Sequence, residues 1–290
     1  MSTISAEYSS VLFAALAMGI IGLILGVLIG IAAKVFKVEK DSRLDLVLEL
    51  LPGANCGGCG KAGCADFAQA VVKGELPPGQ CPATSKENAA AIAQILGIEN
   101  NVSFRKTAVI LCGGDRNQSV NPILYNGISD CRSAAMVAGG PKGCAYGCLG
   151  LGSCARTCPF GAIEIVNGLA IVHQELCVGC GKCADVCPRK LIKLVNADAQ
   201  VHIFCSNPEK APAKRPVCKV PCIGCRKCEK AFPGSFKPEG FKVSVNYDSE
   251  TFVTEKDIES VKCPSNCLLS SAQHLALEHS DPDHEQQKEV

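Results

Sequence analysis

Sixteen of the twenty-one cysteines in this 290-residue chain fall into four groups of four. Two runs are the most regular: Cys144-x3-Cys148-x5-Cys154-x3-Cys158-Pro159 and Cys177-x2-Cys180-x2-Cys183-x3-Cys187-Pro188. Thiolates at such spacing hold the irons of a [4Fe–4S] cube, and in paired runs the cysteine before proline ligates the neighbouring cube. The expected sets are Cys144, Cys148, Cys154 and Cys187 on one cube, and Cys158, Cys177, Cys180 and Cys183 on the other. The chemistry such a pair performs is one-electron transfer.

A third group, Cys56-x2-Cys59-x4-Cys64 with Cys81-Pro82 beyond it, gives a single-cube site. A fourth, Cys222-x2-Cys225-x2-Cys228, begins like a ferredoxin run, but Phe232 stands before Pro233 and only Cys263-Pro264 follows. Cys222, Cys225, Cys228 and Cys263 therefore make one cube, and a second has lost its ligands. Of the five remaining cysteines, Cys112, Cys131, Cys205 and Cys218 bracket the central runs. They either meet as a fifth site or pack as small buried hydrophobes. Cys267 is read as structural.

Two other uses of cysteine compete. Disulfide frameworks belong to small secreted domains. Zinc sites favour separated Cys-x2-Cys pairs or Cys/His mixtures, and none of the five histidines lies inside a cysteine run. A membrane-tethered zinc scaffold is the rival reading.

The elements that would position these thiols are short. Apolar spacing at Leu44, Val47, Leu48 and Leu51 predicts a helix ended by Pro52-Gly53. A second runs from Ala65 to Lys73, and a third, capped by Ser85, runs through Leu96 to Gly97. Thr107 to Leu111 reads as a strand and Asp130 to Ala138 as a short helix. Ile163–Val166 and Leu169–Val172 flank Asn167-Gly168, a strong hairpin signal. Leu191 to Val195 supplies a further strand. Gly58-Cys59-Gly60-Lys61-Ala62-Gly63 fits a dinucleotide fingerprint in letters alone, since no strand precedes it. Its glycines are read as letting backbone approach the cluster.

Composition adds a membrane element. Val11 to Ala33 carries no charge, and a helix of about 20 apolar residues spans a bilayer. Lys34, Lys37, Lys40 and Arg43 follow, which places the N-terminus outside and the cysteine-rich remainder in the cytoplasm. Gly22, Gly26 and Gly30 form a stripe suited to packing on another membrane helix. Net charge is +1, so nothing suggests nucleic acid. From Lys210 to Lys230 there are seven Lys or Arg against one Glu. That run is either a solvated face or a steering surface for an acidic redox partner.

The expected fold class is α+β, a single transmembrane helix followed by a small helical [4Fe–4S] domain and ferredoxin-like modules. The divisions are 1–40 (anchor), 41–97 (one cluster), 98–140 (connecting αβ segment), 141–199 (two clusters), 200–275 (one cluster) and a disordered tail at 276–290.

The anchor, the Cys56/Cys59/Cys64/Cys81 domain, the stretch from Gly143 to Cys154 and the run through Cys187-Pro188 together resemble the B-subunit family of the Rnf ion-translocating oxidoreductase complexes. That resemblance implies an electron-transfer subunit in the cytoplasmic membrane, taking electrons from reduced ferredoxin. It would pass them to membrane and peripheral subunits that bear flavins and reduce NAD+ while Na+ or H+ is moved. It implies no direct NAD or flavin binding in this chain. Within electron transfer, the alternative is the input subunit of a different membrane reductase.

Overall fold

The computed structural model describes residues 2–35, 41–98, 105–249 and 252–276, with side chains of the first helix described over 16–32 and at 34. The expected tail past 276, and Lys37 and Lys40, lie outside the described residues. Two units, Met1–Asp45 and Leu46–Val290, are each compact in themselves.

The first unit holds α1 (Ser2–Val35), a helix of 34 residues. Its described large apolar side chains, from Leu16 to Ile31, are all exposed. Among the described residues no helix is long and apolar enough to cross a membrane; the described side chains of α1 cover only part of the expected 11–33 span.

The second unit begins with helices. After α2 (Ser42–Leu50), α3 (Cys64–Val72) and α4 (Lys86–Leu96) enclose Val47, Phe67, Val71 and Ile92, which are fully buried. Ser85 caps α4 by accepting from the Asn88 N–H at 3.1 Å, and Gly97 ends it at φ +66°. The Asn88 side chain donates to Leu50 O at 2.9 Å, which ties α4 to α2.

Further on, β1 (Lys106–Ile110) leads to α5 (Cys131–Met136), α6 (Ser153–Thr157) and the hairpin β2 (Ile163–Val166) and β3 (Leu169–Val172). The hairpin turns at Asn167 (φ +46°) and Gly168 (φ +70°), the two positive angles that a tight two-residue turn demands. α7 (Lys182–Val186) and β4 (Ile192–Asn196) close this central part. β1 pairs antiparallel with β4, Ala108 opposite Leu194. The segment expected to connect modules is therefore built into the central sheet.

The last part comprises β5 (Val201–Ile203), α8 (Ala211–Lys214), α9 (Lys227–Ala231), β6 (Phe236–Glu239), β7 (Lys242–Val245), α10 (Glu255–Glu259), β8 (Leu268–Ser270) and α11 (Ser271–Ala276). β6 pairs with β7 and β8 with β5. Val109, Val195, Ala199 and Phe204 share one core. The Phe204 ring stacks on His274 at 3.8 Å, and His274 Nε2 lies 3.2 Å from Cys112 O. Central and C-terminal parts are thus packed as one body within the unit.

Candidate metal centres

Three stretches repeat one local design. Gly150, Gly179 and Gly224 each have φ +70°. A Cβ added there would meet Gly168 O at 2.1 Å, Lys106 O at 2.4 Å or Phe241 O at 2.7 Å, so only glycine lets the facing backbone come this close. Two residues before each glycine is a buried cysteine: Cys148, Cys177 or Cys222. Each accepts from a strand N–H, that of Ala170, Ala108 or Val243. A one-turn helix follows in every case: α6, α7 or α9.

This common frame sets the register of the first run. Cys148-Leu149-Gly150-Leu151-Gly152-Ser153-Cys154 lies on Cys177-Val178-Gly179-Cys180-Gly181-Lys182-Cys183. Leu151 occupies the place of the middle cysteine, and Cys144 lies outside the motif. The spacing x3-x5 had hidden an ordinary x2-x2 run with one ligand replaced.

The cavities follow the same register. Cys148, Cys154 and Cys187 line one of about 370 Å3 together with Cys131, not Cys144. Cys131 opens α5, and its N–H donates to Ser153 Oγ at 2.7 Å, which fixes it beside α6. Cys158, Cys177, Cys180 and Cys183 line a second cavity of about 320 Å3. The expected set of Cys144 with Cys148, Cys154 and Cys187 is therefore not brought together. Cys144 instead lines a cavity of about 390 Å3 with Cys112, Cys205 and Cys218. The other expected set, Cys112, Cys131, Cys205 and Cys218, is likewise divided between two cavities, Cys131 lining that of Cys148 and the other three that of Cys144.

Cys222, Cys225, Cys228, Cys263 and Cys267 line a cavity of about 360 Å3. Cys267 is buried, with its sulfur 3.7 Å from Cys263 Sγ. The Cys267 thiol holds Cys222 down at about 6 and Cys263 down at about 5, and its own pKa is driven up by the same contacts. It is thus a neighbour of two proposed ligands, a role its sequence position did not suggest. Elsewhere burial dominates. It pushes Cys154 and Cys183 up to about 12 and Cys148, Cys218 and Cys228 up to about 11. Such thiols ionise when metal displaces the proton.

In the N-terminal group Cys59 lies beside Cys81 and Cys56. Cys64 starts α3, its N–H donating to Asn55 Oδ1 at 2.8 Å. The glycine-rich loop also makes a contact outside its own site. A Cβ on Gly58 would stand 2.9 Å from Cys180 Cα, so this glycine lets the first site's loop rest on the second run.

Among the described residues no Cys, His, Asp or Glu group closes tightly enough for a single metal ion. A tetrahedral zinc–thiolate site needs sulfurs about 3.8 Å apart, from Zn–S bonds of about 2.3 Å. The all-thiolate donor sets, the cavities they surround and the strand N–H groups aimed at sulfur fit an iron–sulfur cube.

The basic run divides. Arg215, Lys219, Lys227 and Lys230 are exposed, and Arg226 pairs with Glu229. Lys214 is fully buried, donating to Cys222 O at 2.8 Å and Phe241 O at 3.0 Å. Lys214 therefore cannot steer a partner.

Residues 51–83 match the family described as "Putative Fe-S cluster", and 170–193 match the 4Fe-4S binding domain family. The B component of an ion-translocating oxidoreductase complex from Methanosarcina acetivorans is 41% identical over 233 residues, covering 80% of this chain and 88% of the relative. The B component of the Na(+)-translocating ferredoxin:NAD(+) oxidoreductase complex of Acetobacterium woodii is 39% identical, covering 89% and 77%. Its proton-translocating counterpart in Clostridium ljungdahlii is 41% identical, covering 74% and 76%.

Proposed function

Because the chain belongs to the B-subunit family of ion-translocating oxidoreductase complexes, we propose that it accepts electrons from reduced ferredoxin and hands them to its partner subunits. It carries multiple [4Fe–4S] clusters and serves as an electron-transfer subunit of the complex. The bound clusters supply one-electron redox chemistry, with potentials set by hydrogen bonds to sulfur and by exposure.

The observation that carries this reading is the contiguity of the thiol groups. The loop at Gly58 touches Cys180. Cys154 lies near Cys183. The Cys148 N–H donates to Cys112 Sγ at 3.3 Å. Cys205 lies beside Cys222. The protein's own work is to bury these sulfurs, aim N–H groups at them and exclude water between neighbouring sites.

In this reading α1 is a single-pass anchor. At about 1.5 Å per residue, its 34 residues exceed the roughly 30 Å of a bilayer core, and the charges after 33 keep the clusters on the cytoplasmic side. Flavin, NAD and ion chemistry are assigned to other subunits. Relatives named for Na+ and for protons are almost equally similar, which fits an ion choice made elsewhere in the complex.

The test mixes chemically reduced ferredoxin with the anaerobically purified chain and follows bleaching of its visible absorption. Rapid bleaching is expected. Reversing Arg215, Lys219, Lys227 and Lys230 to Glu should slow it at low salt, and the defect should fade as ionic strength rises. No bleaching by ferredoxin, in protein that small-molecule reductants bleach normally, would rule ferredoxin out as donor. Co-purification with subunits of an unrelated reductase would establish the alternative.

A further inference from the structure

We propose that Cys112, Cys144, Cys205 and Cys218 hold a [4Fe–4S] cluster of their own, while Cys131 replaces the missing middle cysteine at Leu151 and completes the cube of Cys148, Cys154 and Cys187. The inference rests on the multi-cluster reading above and specifies its ligands.

Register supplies the first argument. Gly150, Gly152 and α6 superimpose the first run on the second only if Cys148 is its first cysteine. That leaves Leu151 where Cys180 stands and a corner without a ligand. Cys131 lines the same cavity as the other three and acts on Cys154 with them. Cys144, displaced from that set, is free for another.

Cavity and connections supply the second. Cys112, Cys144, Cys205 and Cys218 line one cavity, four thiols together as in each of the two cavities of the ferredoxin-type runs. Its walls come from three distant segments held by backbone bonds: Gly113 N to Phe204 O at 2.9 Å, Val120 N to Val217 O at 3.1 Å and Gly143 N to Val120 O at 2.9 Å. Donors face its sulfurs. The Cys148 N–H reaches Cys112 Sγ at 3.3 Å, and Asn207 Nδ2 reaches Cys144 Sγ at 3.7 Å.

Charge supplies the third. Lys142 and Lys214, 7% and 0% exposed, both line this cavity. Among the described residues neither forms a carboxylate salt bridge; the Lys142 ammonium donates to Gly114 O and that of Lys214 to two carbonyls. Two buried ammonium groups need countercharge. Four neutral thiols packed as hydrophobes offer none, whereas a thiolate-ligated cube is an anion.

The site would also fill a gap in the wire. It lies between the cube of Cys148, through Cys112, and the C-terminal site, through the Cys205–Cys222 contact. The order becomes N-terminal site, Cys177 cube, Cys148 cube, Cys112 site and Cys222 site.

The test uses the full chain, reconstituted anaerobically, with iron and zinc analysis, EPR and Mössbauer spectra. Five cubes predict about twenty irons per chain. Cys218→Ser and Cys144→Ser should each perturb the same spectral component. Cys131→Ser and Cys187→Ser should together mark a different one. Leu151→Cys in the Cys131→Ser background should restore that second component, because it returns the middle ligand. Asn207→Leu, which leaves every cysteine in place, should shift only the component marked by Cys218→Ser. It keeps the question open to measurement if a cysteine variant fails to fold.

The proposal is overturned if Cys144→Ser shares its component with Cys187→Ser, or if wild type holds about sixteen irons and Cys218→Ser removes none. Zinc in place of four irons overturns it too. A chain devoid of iron would instead sink the multi-cluster reading itself.

Discussion

The central part and the C-terminal part start from the same motif and solve the core differently. In the centre, Cys148, Cys154, Cys177 and Cys183 belong to the buried cluster itself, among small neighbours such as Ala108, Ala162 and Ala170. In the C-terminal part Phe232 takes the place of the closing cysteine and packs against Phe236, Val243, Ile258 and Val261. The Phe232 and Phe236 rings stand 6.5 Å apart. The centre builds its interior around two sets of thiols; the C-terminal part keeps one, around Cys222 and Cys267, and has hydrocarbon where a second closing cysteine would stand. A cube and an aromatic pair are thus alternative fillings for one backbone.

Iron removal is the sharpest way to break this comparison. Chelation under anaerobic reducing conditions should collapse the centre first, since small metal-bound domains draw much of their folding free energy from the metal. Hydrogen exchange should accelerate far more at 106–110, 163–172 and 192–196 than at 236–245. Equal loss of protection in both regions would show that the aromatic pair does not substitute for a cube.

The reciprocal change is Phe236→Ala. Truncating this buried ring should cost about 3–5 kcal/mol in denaturant unfolding of the C-terminal part, with the central iron retained. Loss of central iron along with it would show that the two parts stand or fall together.

A smaller effect separates two glycines of the shared motif. Gly179 and Gly181 both have positive φ, but a Cβ on Gly179 would clash with the Lys106 carbonyl of β1, whereas one on Gly181 would meet only Leu194 Cδ1 at 3.5 Å. Gly181→Ala should cost about 1–2 kcal/mol of left-handed strain, while Gly179→Ala should also displace β1 and release the Cys177 cube. Arg226 already holds the Gly181 position at φ +57° in the C-terminal part. Comparable iron loss in both variants would refute the close-approach argument.

The smallest effect concerns pH. His202, bonded to Tyr247 and Ser271 at 3.0 Å each, is held down at about 3 by burial, with His274 adding to it. Its folded form stays neutral while the unfolded chain gains a proton below about 6.5. Stability is therefore complete above that value and drains as pH falls towards 3. Denaturation midpoints of the C-terminal part should fall between pH 7.5 and 5, and less so in His202→Gln. Identical slopes in the two proteins would show that this ring is not buried neutral.

Local elements are readable because they depend on neighbours in sequence. Ser85 and Gly97 bound α4, and Asn167-Gly168 turns the β2–β3 hairpin. The Cys177 run needs only its own spacing, and Cys158 lies with it in one cavity. Reading stops where a cavity is lined by a residue from afar. Spacing counts Cys144 because it is near Cys148 in sequence, whereas α5 brings Cys131 there in space. The repeated Gly-x-Gly at 150–152 and 179–181 is the visible signal that the run begins at Cys148. Lys214 looks solvent-facing within a charge run, but its contacts with Cys222 O and Phe241 O are tertiary. The strand β1 is legible, yet its partner β4, far along the chain, is beyond any local pattern.

The distribution of cysteines along the chain has a consequence for how the protein is made. On the ribosome, the N-terminal site is complete once Cys81 has emerged. The central cavities stay open until Cys183 and Cys187 follow, the Cys112 cavity until Cys218, and the last until Cys263. Domains fold from the N-terminus during synthesis, so Cys112, Cys131 and Cys144 must wait as bare thiols while the stretch that shelters them is still being translated. Loading during synthesis would therefore run along the chain, the site closed by Cys81 first and the site closed by Cys263 last.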